Sequence, residues 1–335
     1  MLAVPDETAH RTKRADWLEL KAIASPDARI GFGTLVSGTA LTENDQEPNI
    51  ADEDIAEEEL VLGVQNEIAR RAQVMGTDYP FRIDDKGRAL HFVTPVSQAG
   101  SVYLFCLFLS HAFDRAIVPK KLAPKVTNNT RDLFQACSTI AAGGFVEGPS
   151  KSFGFPRPDG STFLTALHRI YKLFGDGKPV TEPRPAAAKR IKDNGIDIIA
   201  WKRSPDGLPC TVYLIGQVAS GNDWKDKSVK ADRIHFHSYW FRTQPASQAH
   251  DAVFMPFGLE PEDPEDGTPY EEVLTDYMQE KGYRFGNLFY RDRVVSHLAK
   301  GLQLIAEGEL EIERHGALTK IIKWVENYTK RLQAA

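Results

Sequence analysis

The strongest constraint in the sequence is a pair of short apolar segments separated by a turn signal. IDIIAW, residues 196–201, and TVYLIGQVA, residues 211–219, each predict a buried strand. Pro205-Asp206-Gly207 lies between them and is typical of a tight turn, so the strands are predicted to form an antiparallel hairpin. Pairing about Gly207 requires the residue numbers across the ladder to sum to about 414.

One polar side chain interrupts each predicted strand. The register sets Asp197 directly opposite Gln217 on one face of the hairpin, where the Cβ atoms of cross-strand partners lie roughly 4.5–5.5 Å apart. An uncompensated charge inside an apolar strand costs several kcal/mol, so Asp197 requires a partner. The partner is either a lysine or backbone N–H in a structural hydrogen bond, or a cation shared with the amide oxygen of Gln217.

Three lysines follow the second strand within SGNDWKDKSVK, namely Lys225, Lys227 and Lys230. An acid, an oxygen ligand on the next strand and a nearby lysine are what metal-assisted hydrolysis of a phosphodiester requires. Mg²⁺ prefers oxygen ligands in octahedral geometry and makes a coordinated water more acidic. A lysine can position that water or stabilise charge in the transition state.

GIDIIAW, YLIGQVASG and DWKDK together resemble the catalytic hairpin of the restriction-endonuclease-like PD-(D/E)xK nuclease superfamily, in the variant where glutamine replaces the second acid. TRDLFQACSTIAAGGF, residues 130–145, is similar to the first helix of that fold. The resemblance covers residues 128–240, about a third of the chain. It implies an α/β (α+β) fold, with a restriction-endonuclease-like mixed sheet core flanked by helical N- and C-terminal regions.

The resemblance also implies roles for individual residues. Asp197 becomes the principal metal ligand, Gln217 the second ligand, and Lys227 or Lys225 the catalytic lysine, with Mg²⁺ or Mn²⁺ as cofactor. The implied activity is endonucleolytic hydrolysis of nucleic acid, with DNA as the expected substrate. The implied context is an effector or subunit of a cytoplasmic anti-phage defence or restriction system, with a protein partner in a defence complex.

The sequence departs from the superfamily pattern at two positions. The pattern sets a lysine two residues after the second ligand, and this chain has Ala219 there. Gln135 occupies the position in the first helix where family members often carry glutamate. The missing lysine and the substantial flanking helices favour an alternative function, a catalytically inactive nuclease-fold subunit that binds nucleic acid or a partner protein in a larger complex.

Changes in composition along the chain predict three regions. Residues 1–125 are expected to be mainly helical with a small β element, including a hairpin around Asp85-Lys86-Gly87. Residues 126–259 are expected to form an α/β core, which the resemblance implies is nuclease-like, and residues 260–335 a helical C-terminal region. The longest apolar run, VYLFCLFL at 102–109, is far shorter than the ~20 residues of a membrane-spanning helix, so no membrane span is predicted.

The formal net charge of −5 is a sum of unlike regions. Residues 43–59 carry nine carboxylates and no basic residue, which is typical of the solvated start of a helix. Basic residues cluster near the hairpin and could contact a nucleic-acid backbone: Lys178, Arg184, Lys189, Arg190, Lys192, Lys202, Arg203, Lys225, Lys227, Lys230 and Arg233. Trp201 and Trp224 are available there for packing or for stacking on a base.

Two other patterns are interpreted as structural. His235 and His237 in RIHFHSYWF are expected on one side of a strand, and no further ligand stands at the spacing of a structural zinc site. Cys106, Cys137 and Cys210 are far apart and lie in apolar stretches, so they are predicted to be reduced, buried core thiols.

Overall fold

The computed structural model describes residues 2–6, 8–36, 50–113, 116–157, 159–185, 192–227, 229–262 and 267–335. The chain forms two compact units. The first unit comprises Met1–Val126, Phe257–Val273 and Thr319–Ala335, and the second comprises Thr127–Pro256 and Leu274–Leu318. The C-terminal third is thus divided between the units, and the predicted acidic segment 43–59 lies partly outside the described residues.

The described residues contain α-helices and short strands in mixed order. The helices are α1 (Arg11–Ala24), α2 (Ile50–Met75), α3 (Gln98–Ser110), α4 (Asn128–Val146), α5 (Phe163–Phe174), α6 (Val229–Trp240), α7 (Tyr270–Phe285), α8 (Arg291–Ala306) and α9 (Leu318–Gln333). The strands are β1 (Arg29–Gly31), β2 (Phe81–Ile83), β3 (Ala89–Phe92), β4 (Ser150–Ser152), β5 (Lys178–Pro179), β6 (Ile198–Trp201), β7 (Tyr213–Val218), β8 (Phe241–Thr243), β9 (Ala249–Phe254) and β10 (Asn287–Phe289).

The first unit combines helices with a small antiparallel sheet in the order β1-β3-β2. The hairpin predicted around Asp85-Lys86-Gly87 is confirmed, because β2 pairs with β3 on either side of this turn. Helix α3 is buried along nearly its whole length. Within the described residues, no helix is both long enough and apolar enough to cross a membrane.

A buried guanidinium joins the helices of the first unit. Arg71 on α2 is 1 % exposed and donates hydrogen bonds to Asp16 Oδ1 at 2.7 Å and to Glu19 Oε1 at 2.8 Å, both on α1. It also donates to Glu67 Oε1 at 2.8 Å and to the Tyr103 hydroxyl of α3 at 3.1 Å. Buried charges of this kind are tolerated because each is paired and hydrogen-bonded.

The second unit is built on a five-stranded mixed sheet in the order β10-β9-β7-β6-β4. Strands β4, β6 and β7 are antiparallel neighbours, whereas β9 runs parallel to β7 and β10 runs parallel to β9. Helix α6 lies in the chain between β7 and β9, as a parallel crossover requires. The chain is therefore of mixed α/β type, consistent with the α+β class.

The predicted register of the central hairpin is confirmed within the strands. Ile198 pairs with Gly216, Ile199 with Ile215, Ala200 with Leu214 and Trp201 with Tyr213. Each pair sums to 414. The regular ladder ends at Ile198–Gly216, one position short of Asp197 and Gln217.

Close packing of two helices fixes the position of α4 beside the sheet. A Cβ built on Gly144 of α4 would lie 1.9 Å from the His297 carbonyl oxygen and 2.6 Å from the Gly301 nitrogen, both on α8. A Cβ on Gly301 would in turn lie 2.8 Å from the Ile140 carbonyl oxygen. Glycine at these two positions therefore allows the backbones of α4 and α8 to touch.

Two local predictions are wrong. His235 and His237 lie in helix α6 and not on a strand. Cys210 is exposed, whereas Cys106 and Cys137 are buried as expected. Cys210 has a φ of 71° and lies three residues before β7 begins at Tyr213, so it does not belong to the apolar strand itself.

Replacing Gly144 with alanine is expected to lower the free energy of unfolding by about 3 kcal/mol or more, because the added methyl group meets backbone atoms that cannot move aside cheaply. The matched control is Gly282→Ala in α7, where a Cβ meets nothing within 4 Å. That change should stabilise by up to about 1 kcal/mol through helix propensity. Urea unfolding followed by circular dichroism measures both, and equal stabilities of the two variants would contradict the packing argument.

Candidate metal centre at the end of the central hairpin

Asp197 lies where three strands of the second unit come together. Its backbone N–H donates to the Gly216 oxygen at 2.9 Å, and its carbonyl accepts from the Phe153 and Gly154 nitrogens at 2.7 and 3.0 Å. Its carboxylate Oδ2 accepts from the Val218 N–H at 2.8 Å. The side chain therefore takes the place of a backbone acceptor at the point where the β6–β7 ladder ends.

The environment of Asp197 disfavours its charge. Partial burial raises the pKa of this carboxyl to about 7, against the stabilising Val218 hydrogen bond. The nearby Asp193 carboxylate also raises this pKa, and the Lys227 ammonium lowers it. Asp193 is itself held in place, because it accepts from the Gly195 N–H at 3.1 Å and the Phe155 N–H at 3.2 Å.

The Gln217 side chain is buried, with 3 % of the residue exposed, and only the nitrogen of its amide has a hydrogen-bond partner among the described residues. Its Nε2 donates to Oδ2 of Asp232 on α6 at 2.5 Å. Its Oε1 is buried and has no hydrogen-bond partner among the described residues. A buried carbonyl oxygen without a donor is uncommon in native proteins and marks a place where an unseen partner fits.

A second amide lies on the other side of Asp197. Gln135 of α4 donates from Nε2 to Ser152 Oγ at 2.6 Å. A Cβ built on Gly154 would lie 2.5 Å from Asp197 Oδ1, 2.5 Å from Gln135 Nε2 and 2.8 Å from Gln135 Oε1. Gly154 therefore leaves a small space that the Asp197 carboxylate and the Gln135 amide both border.

The two lysines predicted from the sequence differ in their relation to Asp197. Lys227 follows the 3₁₀ turn Asn222–Asp226, is partly buried, and is close enough for its charge to act on Asp197. Lys225 is exposed, with Nζ 5.9 Å from the centre of the Trp224 ring. Ala219, at the position where the superfamily pattern has lysine, is buried at 1 % exposure.

The surrounding surface is partly as the sequence predicts. Of the basic cluster, Lys189 and Arg190 lie outside the described residues, and the exposed members are Lys178, Arg184, Lys192, Lys202, Arg203, Lys225 and Lys230. Trp201 and Trp224 are 3 % and 8 % exposed and pack inside the unit, so they do not offer a stacking surface. Phe155 is 54 % exposed and follows Gly154 directly, a feature that the sequence reasoning missed.

The acidic, histidine and cysteine side chains of the described residues do not cluster as metal ligands, and this holds around Asp197 as well. Among the described residues, no group of three or more His, Cys, Asp or Glu side chains is arranged to hold a metal ion. His237 is buried beside Tyr213, and burial lowers its pKa to about 4, so it is neutral at pH 7. A surface depression of about 500 Å³ that includes Cys210 and His250 lies near the start of β7, at the opposite end of that strand from Gln217.

Asp193 and Asp232 are acidic residues near this site that the sequence reasoning did not select. Asp193 precedes Asn194-Gly195, a turn signal just before β6 that could have drawn attention to it. Asp232 is 15 residues beyond Gln217, and only the packing of α6 brings the two side chains together.

Comparison of the chain with protein-family models, with curated proteins and with solved structures found no match of any of the three kinds.

Asp197→Asn is expected to gain stability relative to the wild type as the pH rises. The folded protein holds its proton on Asp197 up to a pH of about 7, whereas an unfolded aspartate loses it near pH 3.9. The stability that this proton uptake provides is complete below about pH 4 and is lost as the pH rises through 7. The difference in the free energy of unfolding between Asp197→Asn and the wild type should grow by about 1–4 kcal/mol between pH 4 and pH 8.

Urea unfolding in EDTA at several pH values measures this gap. Asp206→Asn is the matched control, because Asp206 is exposed and its acceptor role toward the Leu208 N–H is one that asparagine can keep. A pH-independent difference between Asp197→Asn and the wild type would contradict the assignment of the raised pKa.

Proposed function

We propose that the protein is a metal-dependent nuclease that hydrolyses phosphodiester bonds of DNA on a restriction-endonuclease-like core. The observation that carries the proposal is the unpartnered, buried Oε1 of Gln217 at the strand end where Asp197 lies. An unpartnered amide oxygen and a carboxylate at the same strand end are two oxygen groups of the kind that Mg²⁺ accepts as ligands.

The order of elements in the second unit supports the fold part of the proposal. The order along the chain is α4, β4, α5, β5, β6, β7, α6, β8 and β9. Strands β4, β6 and β7 are antiparallel neighbours, and β9 is parallel to β7. In the resemblance, the first helix of the fold corresponds to α4. The principal acid then lies just before β6, and the second ligand lies on β7. Gln135, Asp197 and Gln217 occupy these three places.

The donor set fits a hard divalent cation. Asp197 offers a carboxylate oxygen, and Gln217 and Gln135 offer amide oxygens, all of which are ligands that Mg²⁺ and Mn²⁺ accept. When bound, the cation would supply Lewis acidity and neutralise charge on the phosphate. With a single carboxylate among the three residues the site carries little negative charge, so we expect weak affinity in the absence of substrate.

The chain's own groups have defined tasks in this proposal. Asp197 holds the cation when it is ionised, and Lys227 supplies a positive charge beside it that stabilises the transition state. Phe155 gives an exposed ring next to the site on which a base can stack. The exposed lysines and arginines of the basic cluster bind the backbone without sequence preference.

One specific observation favours the alternative of a catalytically inactive nuclease-fold subunit that binds nucleic acid or a partner protein. The Asp197 carboxyl already serves the sheet through Val218 and, with a pKa of about 7, is half protonated at neutral pH. Membership of a defence or restriction system, a protein partner and a cytoplasmic location rest on the sequence resemblance alone.

We expect Asp197→Ala to reduce Mg²⁺- or Mn²⁺-dependent cleavage by at least about 100-fold, because it removes the charged ligand. Purified protein is tested on double-stranded DNA, single-stranded DNA and RNA, with EDTA as the metal-free control. Asp206→Ala serves as the matched surface control. Cleavage by Asp197→Ala at the wild-type rate would overturn the proposal, and wild-type binding of DNA without cleavage would support the inactive alternative.

The space beside Gly154 provides an independent test. In Gly154→Ala the new methyl group would meet Asp197 Oδ1 and the Gln135 amide, which are the ends of side chains that can shift. We expect the fold to be retained and Mn²⁺ affinity to fall by about 10-fold or more. Calorimetric titration with Mn²⁺ measures the affinity, with Gly282→Ala as the control, and an unchanged affinity would exclude this space from the site.

A further inference from the structure

A second acid of the site lies on helix α6 and contacts strand β7 through one intervening side chain. Asp232 lies in the first turn of α6, where backbone N–H groups favour a carboxylate. Its Oδ2 accepts a hydrogen bond from Gln217 Nε2 at 2.5 Å. Gln217 therefore connects a helix carboxylate to the end of β7.

The charge of Asp232 decides which way the Gln217 amide faces. If Oε1 faced Asp232, two acceptors would stand 2.5 Å apart with no proton between them. Nε2 must therefore face Asp232, and Oε1 must face away from it. That atom is the buried oxygen that has no partner among the described residues.

The loop before β6 encloses this hydrogen bond. Gly195 has a φ of 77°, and a Cβ there would lie 2.8 Å from Asp232 Cγ and Oδ2 and 3.1 Å from Gln217 Nε2. A residue larger than glycine would strain the backbone and displace the pair. Gly195 therefore packs directly against this hydrogen bond and leaves no space for the pair to shift toward the loop.

The neighbouring cation does not neutralise Asp232. Arg233 forms its ion pair with Asp251, with Nε–Oδ1 at 2.5 Å and Nη2–Oδ2 at 3.1 Å. Among the described residues, no Lys, Arg or His lies within ion-pair distance of Asp232. Its charge thus remains available to polarise the Gln217 amide and to increase the negative charge on Oε1.

We propose that Asp232 is a positioning residue for Gln217, which fixes and polarises Oε1 as an oxygen ligand of the divalent cation. This rests on the proposed function, because it assumes that a cation binds beside Asp197. In this arrangement the Asp232 carboxylate is a second negative charge near the cation. It acts on the cation through the Gln217 amide and does not contact it directly. Glutamine at position 217 and aspartate at position 232 then form a matched pair.

The matched pair is tested by exchanging the two functional groups. The variants are Asp232→Asn, Gln217→Glu and the double variant that combines them, with Asp206→Asn as the surface control. Titration calorimetry with Mn²⁺ alone measures affinity on the full chain at one fixed pH. Thermal unfolding in EDTA provides a second readout that needs neither metal nor activity.

Asp232→Asn is expected to weaken Mn²⁺ binding by about 10- to 100-fold, because a neutral amide no longer dictates which end of Gln217 faces the cation. Gln217→Glu is expected to lower the midpoint of unfolding in EDTA, because two carboxylates would face each other. The double variant restores a donor–acceptor pair with reversed polarity, so it should recover the midpoint. Its Mn²⁺ affinity should equal or exceed that of the wild type, because a carboxylate oxygen then faces the cation directly.

The outcomes separate this inference from the proposed function. Mn²⁺ binding by the wild type with unchanged affinity in Asp232→Asn would overturn the positioning role and leave the proposed function standing. A double variant no better than the weaker single variant would also overturn it. A wild type that takes up no Mn²⁺, with or without DNA, would overturn both.

Discussion

The end of the β6–β7 ladder is the constraint on which the candidate site depends. Beyond the Ile198–Gly216 pair the backbone hydrogen bonds are no longer regular, and the Asp197 carboxylate satisfies the Val218 N–H in their place. One oxygen of this side chain therefore has a structural task, which leaves the other to face the space beside Gly154. The same partial burial that makes the carboxylate a good acceptor for the sheet also makes its charge costly unless a cation is present.

The register of the hairpin could be predicted because the turn chemistry and the apolar pattern agree. A turn at Pro205-Asp206-Gly207 leaves few registers open, and a shift by one residue would turn the apolar side chains out of the core. The register alone does not predict where the β6–β7 ladder ends, because that depends on hydrogen bonds made by a single side chain.

The rest of the site could not be predicted because it depends on packing between distant elements. RIHFHSYWF has the alternating aromatic pattern of a strand, yet all of its residues except the last, Phe241, belong to α6, where tertiary contacts outweigh local preference. The face that α6 presents to the sheet determines that Asp232 meets Gln217. The orientation of the Gln217 amide follows only once the charge facing it is known.

The buried guanidinium of the first unit has a consequence for how that unit opens. Arg71 binds carboxylates of α1, a carboxylate of its own helix α2 and a hydroxyl of α3. Separation of any one of these helices would leave charged or polar groups stranded in the core, so partial opening is penalised as heavily as opening of all three. The three helices should therefore share a single level of amide hydrogen-exchange protection, as one cooperative folding unit.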